Sequence, residues 1–290
     1  MRETLLAYRE WSGLGDWIMA MSVLKMVNQQ YPHIDITLNL AARNKFGSMQ
    51  PDHLPPIVEE VARGFDVKID DFTYYIVPQR ASINYDYCSG HMTYAKDGNN
   101  FIENMVKKFN YDTDLNVIHD PKAYAQYIKG DDYDNSFDQF KPYVLIQSCS
   151  KRKCRVREGK DFGYGNMEVI ARQLMRNGIN VIQIGQNTDY KIPKVPAFLS
   201  VDLNTIHKLM INSEGFIGMD GGLGVFASHH GVRQYIIYED KVMFSWTKFP
   251  HRRQLDGDMG WTGVFNYILS TIEEDREYEK SIRKDYLQAS

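Results

Sequence analysis

Between residues 143 and 239 the sequence alternates between short apolar runs and longer amphipathic stretches, four of the first and three of the second. The apolar runs are YVLIQ (143–147), NVIQIG (180–185), GFIGMD (215–220) and QYIIYE (234–239). The stretches between them, MEVIARQLMRNG (167–178), LNTIHKLMINS (203–213) and GLGVFASHHG (222–231), carry a helical period, and Gly178 is placed to close the first. Apolar strands that do not alternate with polar residues are strands buried on both faces. A β-α-β-α-β-α-β succession of such strands predicts a parallel sheet with right-handed crossovers.

The amino half begins in the same way. Thr4–Tyr8 reads as a strand, and a glycine turn follows in REWSGLGDWIMAMSV (9–23). Ile18, Met21, Val23, Leu24 and Val27 continue as a helix that ends near Tyr31-Pro32, because the residue before a proline disfavours helix. IDITLNL (34–40) is the second strand, IVEEVAR a short helix, DVKIDDF and YYIVP two further short strands, and Asn100–Phe109 a helix. Residues 130–142, GDDYDNSFDQFKP, are acidic and polar and end in proline, which reads as a linker. The expected organisation is a first α/β domain over 1–135, a second over 141–262, and a charged helical tail over 263–290 that packs back on the first domain. Ligands in open parallel sheets bind beyond the strand C-termini, so two such halves place a cleft between them.

Bulk properties narrow the function classes. At 43% hydrophobic and 24% charged residues, a chain of this length can build two cores. A net charge of −3 excludes a uniformly basic nucleic-acid coat while leaving room for a local basic patch. The three cysteines, Cys88, Cys149 and Cys154, form no disulfide framework and show no zinc spacing, which favours a reducing compartment. Neither a signal peptide nor a run of about 18 apolar residues is found, so a cytoplasmic protein without a transmembrane segment is expected.

Gly13-Leu14-Gly15 starts like a dinucleotide fingerprint, but Ile18 stands at the third glycine position. The second strand ends at Asn39-Leu40 without the acid that would meet a ribose. NAD and FAD are therefore disfavoured. Asp16 then has two readings, a helix N-cap or a base facing a cleft from the end of a strand. In the second half Gly221-Gly222 opens a helix at Leu223. Its free N–H groups and positive dipole end suit a phosphate. The loop after YVLIQ holds Lys151, Arg152, Lys153, Arg155, Arg157 and Lys160, six cations in ten residues. These would meet an anion, form a solvated rim, or grip the phosphates of a nucleic-acid acceptor. Asp256-Gly257-Asp258 has the spacing of a metal triplet but reads as a turn, and no histidine cluster has ligand spacing, so no metal is expected. Tyr74, Tyr75, Tyr85, Tyr87 and Tyr94 line either an acceptor platform or a core.

Four stretches resemble the heptosyltransferase family, glycosyltransferase family 9. They are SGLGDWIMAMSVLKMVNQQYP, YVLIQSCS, GKDFGYGNMEVIARQLMRNGINVIQIG and LNTIHKLMINSEGFIGMDGGLGVFASHHGV. The resemblance implies a GT-B fold, two Rossmann-like domains with parallel sheets facing a central cleft. It implies a nucleoside-diphosphate sugar as co-substrate, with no metal and no further cofactor. Asp16 corresponds to the catalytic base, with Gly13 and Gly15 on the acceptor side. Ser148, Ser150, Lys153, Arg155 and Lys160 fall in the phosphate loop, Gly185 and Asp189 in a donor-contacting loop, and Asp220, Gly221, Gly222, Leu223 and Gly224 in the loop whose amides meet the donor. Three positions depart from the family: Val225 replaces a histidine, Gly221 a serine or threonine, and Phe162 a tryptophan. The expected function is a metal-independent, inverting glycosyltransferase acting on a glycan or a modified nucleic acid, as a monomer or weak oligomer. A nucleotide-sugar-binding protein without catalysis is the alternative.

Overall fold

The computed structural model describes residues 4–8, 14–39, 55–73, 83–86, 101–120, 135–148, 163–219, 221–238 and 252–289. The chain divides into two units. One contains the described elements up to residue 120 together with Gly221–Gly231; the other contains Asp134–Asp220, Val232–Lys241 and Arg252–Ser290.

In the first unit four parallel strands lie in the order β3-β2-β1-β4. They are β1 (Thr4–Tyr8), β2 (Asp35–Asn39), β3 (Asp71–Thr73) and β4 (Ile83–Asp86). β1 pairs with β2 from Thr4↔Asp35 to Tyr8↔Asn39 and with β4 from Leu5↔Ile83 to Tyr8↔Asp86. Helices α1 (Leu14–Gln30), α2 (Pro55–Gly64) and α3 (Phe101–Thr113) accompany the sheet. The first two strands and all three helices fall where the sequence puts them, and α1 ends one residue before Tyr31-Pro32. β4 was not foreseen, since INYD is short and half polar. The second run expected to be a strand, YYIVP, lies outside the described residues.

α1 is apolar on nearly all sides. Trp17, Ile18, Met21, Val23, Leu24, Met26 and Val27 are all buried, and so is Ser22. A helix of that kind needs cover on more than its sheet face. α2 and α3 supply part of the cover, and the remainder comes from α6 (Gly222–His229). α6 lies in sequence between strands of the other unit, yet it packs in this one.

The second unit holds a six-stranded parallel sheet in the order β10-β9-β8-β5-β6-β7. Its strands are β5 (Tyr143–Ile146), β6 (Asn180–Gly185), β7 (Ala197–Leu199), β8 (Gly215–Met219), β9 (Gln234–Tyr238) and β10 (Arg252–Asp256). The four strands expected from the sequence form its centre. The edges β7 and β10 were missed, because AFL is three residues long and RRQLD has only Leu255 buried. β5, β8 and β9 are buried along their whole length, as strands covered on both faces are. Helices α4 (Tyr164–Arg176), α5 (Leu203–Ile211) and α7 (Gly260–Ala289) belong to this unit. Gly178 has φ of 75° just past the end of α4, the left-handed stop that the sequence implied. The tail was expected to pack back on the first domain; instead Val264, Phe265, Ile268 and Ile272 of α7 join Ile170 and Leu174 of α4 in the core of this unit, because their apolar stripe fits the face of α4. The Arg276 guanidinium fixes the helix further by donating to both carboxylate oxygens of Glu214, at 3.0 and 2.7 Å. Residues 135–140, read as linker, form a 3-10 helix whose Phe137 packs edge-on against Phe198, with centroids 5.5 Å apart.

Candidate functional site

The site begins with two glycines far apart in sequence. Gly15 stands in the first turn of α1, and Gly222 is the first residue of α6. A Cβ on Gly15 would lie 3.1 Å from Gly222 Cα and 3.1 Å from Val225 Cγ2. A Cβ on Gly222 would lie 2.9 Å from Gly15 N and 2.9 Å from Leu14 Cβ. Only residues without side chains permit this approach. The glycine turn read as acceptor-side and the glycine turn read as donor-binding therefore meet, and the amino ends of two helices come together there. Helix amino ends carry unsatisfied N–H groups and partial positive charge. Gly221, before α6, brings no side-chain cap. Val225 fills the space beside Gly15.

Asp16 is the third residue of α1, inside the helix and not in the capping position before it.

One helical turn on, the junction is locked by a buried pair. His229 Nε2 is 3.1 Å from Ser22 Oγ, and His229 Nδ1 is 2.8 Å from the Val225 carbonyl. A carbonyl only accepts, so the neutral ring carries its proton on Nδ1, and the single Ser22 hydroxyl proton is shared between Nε2 and the Ile18 carbonyl, each 3.1 Å away. Phe65 meets the ring edge-on at 5.0 Å. Burial pushes the imidazole down to about 4, against the opposing pull of the Val225 carbonyl. His229 is thus a neutral packing residue that joins α6 to α1. Neighbouring His230 directs Nδ1 to the Phe226 carbonyl at 2.7 Å.

In the second unit the loop after β6 is held by a closed polar network. The Ser148 hydroxyl donates to the Tyr190 carbonyl at 2.7 Å. Gln183 Nε2 donates to the same carbonyl at 2.6 Å and to Ser148 Oγ at 3.1 Å, while Gln183 Oε1 accepts from Ile192 N at 2.8 Å. Gly185 has φ of 152°, and a Cβ there would overlap the Asp189 carboxylate, which accepts from Gln186 N at 2.9 Å. Tyr190 donates its hydroxyl to Glu168 at 2.6 Å. Ser148 and Asp189, expected to touch the donor, both spend hydrogen bonds on shaping this loop. Asp256 likewise accepts from Asp258 N at 2.9 Å, a turn contact within the D-x-D triplet.

The structure brings Gly15 together with Gly222, and Ser148 together with the loop that carries Gly185 and Asp189. Leu223 and Gly224 follow in the first turn of α6. Gly13, Ser150, Lys153, Arg155, Lys160 and Asp220 lie outside the described residues. Sequence reasoning missed Gln183 and His229. Gln183 had a signal, a polar residue in the middle of an otherwise apolar strand. His229 had none, since its partner is 207 residues away.

No family model and no curated protein matches the sequence. Solved structures do. ADP-heptose lipopolysaccharide heptosyltransferase II of E. coli superposes with a TM-score of 0.59 at 13% identity, covering 94% of this chain and 99% of that one. The chain has the GT-B fold. A glycosyltransferase family 9 structure from Veillonella parvula agrees at TM-score 0.56 and 11% identity, over 94% and 97% of the two chains. The S. aureus MnaA–UDP co-structure reaches TM-score 0.55 at 10% identity, over 95% and 89%. At such identities the likeness establishes the α/β, GT-B architecture. Among the described residues no helix is long and apolar enough to cross a membrane.

Proposed function

We propose that this chain is a metal-independent glycosyltransferase. It moves a sugar from a nucleoside-diphosphate sugar to a hydroxyl of a glycan or a modified nucleic acid, in the cytoplasm. The observation that carries the reading is the meeting of Gly15 and Gly222, with Asp16 one residue away on α1 and the uncapped start of α6 beside it.

The acceptor oxygen attacks the anomeric carbon and gives its proton to Asp16. The bond from that carbon to the diphosphate oxygen breaks, and the electron pair leaves with the diphosphate. Direct displacement inverts the anomeric centre. Lys160, Lys153 and Arg155, with Ser150 and the amides of Gly222, Leu223 and Gly224, meet the charge that develops on the leaving group. The cationic loop would do there what a metal ion does in other transferases. ADP-heptose and UDP in the names of the similar structures support a nucleoside diphosphate as the leaving group and leave the base open.

The Asp16→Asn variant tests the base. Turnover is expected to fall about 10²–10⁴-fold, as for a lost general base, while nucleotide affinity stays within about twofold. Near-normal transfer by the variant, followed as nucleoside diphosphate release with mass spectrometry of the products, removes Asp16 from the mechanism. A second reading, nucleotide-sugar binding without transfer, is favoured by Val225 standing where the family has a titratable histidine. Wild-type protein that binds nucleotide-sugar but releases no diphosphate with any acceptor supports that reading.

A further inference from the structure

The strand order of the second unit reverses at one place. From β5 the chain runs outward through β6 and β7, then returns to the other side of β5 and runs outward through β8, β9 and β10. The reversal lies between β5 and β8, the position where open parallel sheets take ligands beyond their strand C-termini. Gln147 is the residue that follows β5 at this point. Its N–H still reaches β8, donating to the Ile217 carbonyl at 2.9 Å. Its side chain lies alongside Gly218 of β8 and is only 8% exposed, yet its Oε1 accepts no hydrogen bond among the described residues. The next residue, Ser148, is fully buried and satisfied by Tyr190 and Gln183. Of these two neighbours at the strand reversal, Gln147 is the one whose acceptor stands unanswered. Leaving a buried amide oxygen unpaired opposes folding, and a group of that kind calls for a reason.

We infer that Gln147 Oε1 is a ligand-reading group that accepts a hydrogen bond from the nucleoside of the donor. This rests on the nucleotide-sugar reading above and adds a residue to it. An amide oxygen only accepts, so the ligand supplies the hydrogen, from an amino group of the base or from a ribose hydroxyl. A Gln at this position favours a nucleotide with a donor there over an isostere without one, because the isostere leaves the buried oxygen unpaired.

The test uses the full chain, titrated with ADP and UDP by calorimetry, as wild type and as Gln147→Leu. Gln147→Met serves as a second variant that keeps the unbranched side-chain length. Two effects of opposite sign are expected. Affinity for the bound nucleotide falls about 3–10-fold, as for one lost hydrogen bond. The unliganded variant melts about 2 °C or more above wild type, because the orphaned acceptor is gone. Repeating the titration with 2′-deoxy-ADP, 3′-deoxy-ADP and inosine diphosphate identifies the hydrogen, since the difference between wild type and variant vanishes for the analogue that lacks it. Wild type that binds nucleotide while both variants bind equally well, or melt lower, overturns this inference and leaves the transferase reading standing. Wild type that binds neither nucleotide overturns the transferase reading and this inference with it.

Discussion

Replacing Gly222 with alanine probes the contact on which the site depends. The new methyl would lie 2.9 Å from Gly15 N and 2.9 Å from Leu14 Cβ, and the first of these is backbone that cannot rotate away. Something must move, and overpacking of this kind costs about 1–3 kcal/mol. Alanine recovers at most about 1 kcal/mol of helix propensity, and less in a first turn. The net expectation is a loss of about 1–2 kcal/mol, a fall in melting temperature of about 2–8 °C for a domain of this size. The control is Gly165→Ala in the first turn of α4, where a Cβ meets nothing within 4 Å. The same change there raises stability by up to about 1 kcal/mol. The assay is calorimetric melting of both variants beside wild type, with nucleotide titration of each. Displacing the start of α6 should weaken nucleotide binding in Gly222→Ala and leave it intact in Gly165→Ala. If Gly222→Ala melts at or above wild type and binds nucleotide normally, the two helix ends do not meet as described, and the argument from their convergence fails.

Other outcomes follow from the polar groups. His229, held near 4 in the fold against 6.5 in the unfolded chain, binds its proton first when unfolded, so acid favours unfolding. Its contribution is complete above about pH 6.5 and declines toward pH 4, by up to about 3 kcal/mol; His229→Gln should flatten that part of the pH–stability curve measured by urea unfolding. A slope in the variant equal to that of wild type removes His229 as its source. Gln183→Leu strips the acceptor from Ile192 N, a cost of about 1–3 kcal/mol when buried and unpaired, while Tyr190 O keeps the Ser148 hydroxyl. Hydrogen exchange at Ile192 should accelerate far more than exchange at residues of β9, and uniform acceleration contradicts a local lock.

Local pattern was a good guide to most elements. Runs such as NVIQIG and GFIGMD are mostly apolar because both faces of the sheet are covered, and a run of that composition has few other places to go. It was a poor guide at the margins of the sheets. β10 is stabilised by pairing with β9 from Arg252↔Gln234 to Asp256↔Tyr238, a partner that its own five residues do not encode as burial. The site divided in the same way. That Gly15 and Gly222 stand at helix starts could be read from residue type, because a helix end is a local feature. What Ser148 and Asp189 do could not, because their partners Tyr190 and Gln186 are set by how one loop folds back.

The sequence by itself determined the succession of the central strands and helices, their parallel pairing and the glycine-bearing helix starts, since each follows from periodicity or backbone freedom within a dozen residues. Tertiary structure decided that α6 leaves the company of its neighbouring strands to cover α1, that Gly15 faces Gly222, and that His229 sits neutral against Ser22. Those are pairings between distant segments. They are selected by which apolar surfaces and hydrogen-bonding groups can satisfy each other in three dimensions, and no local run of residues carries that information.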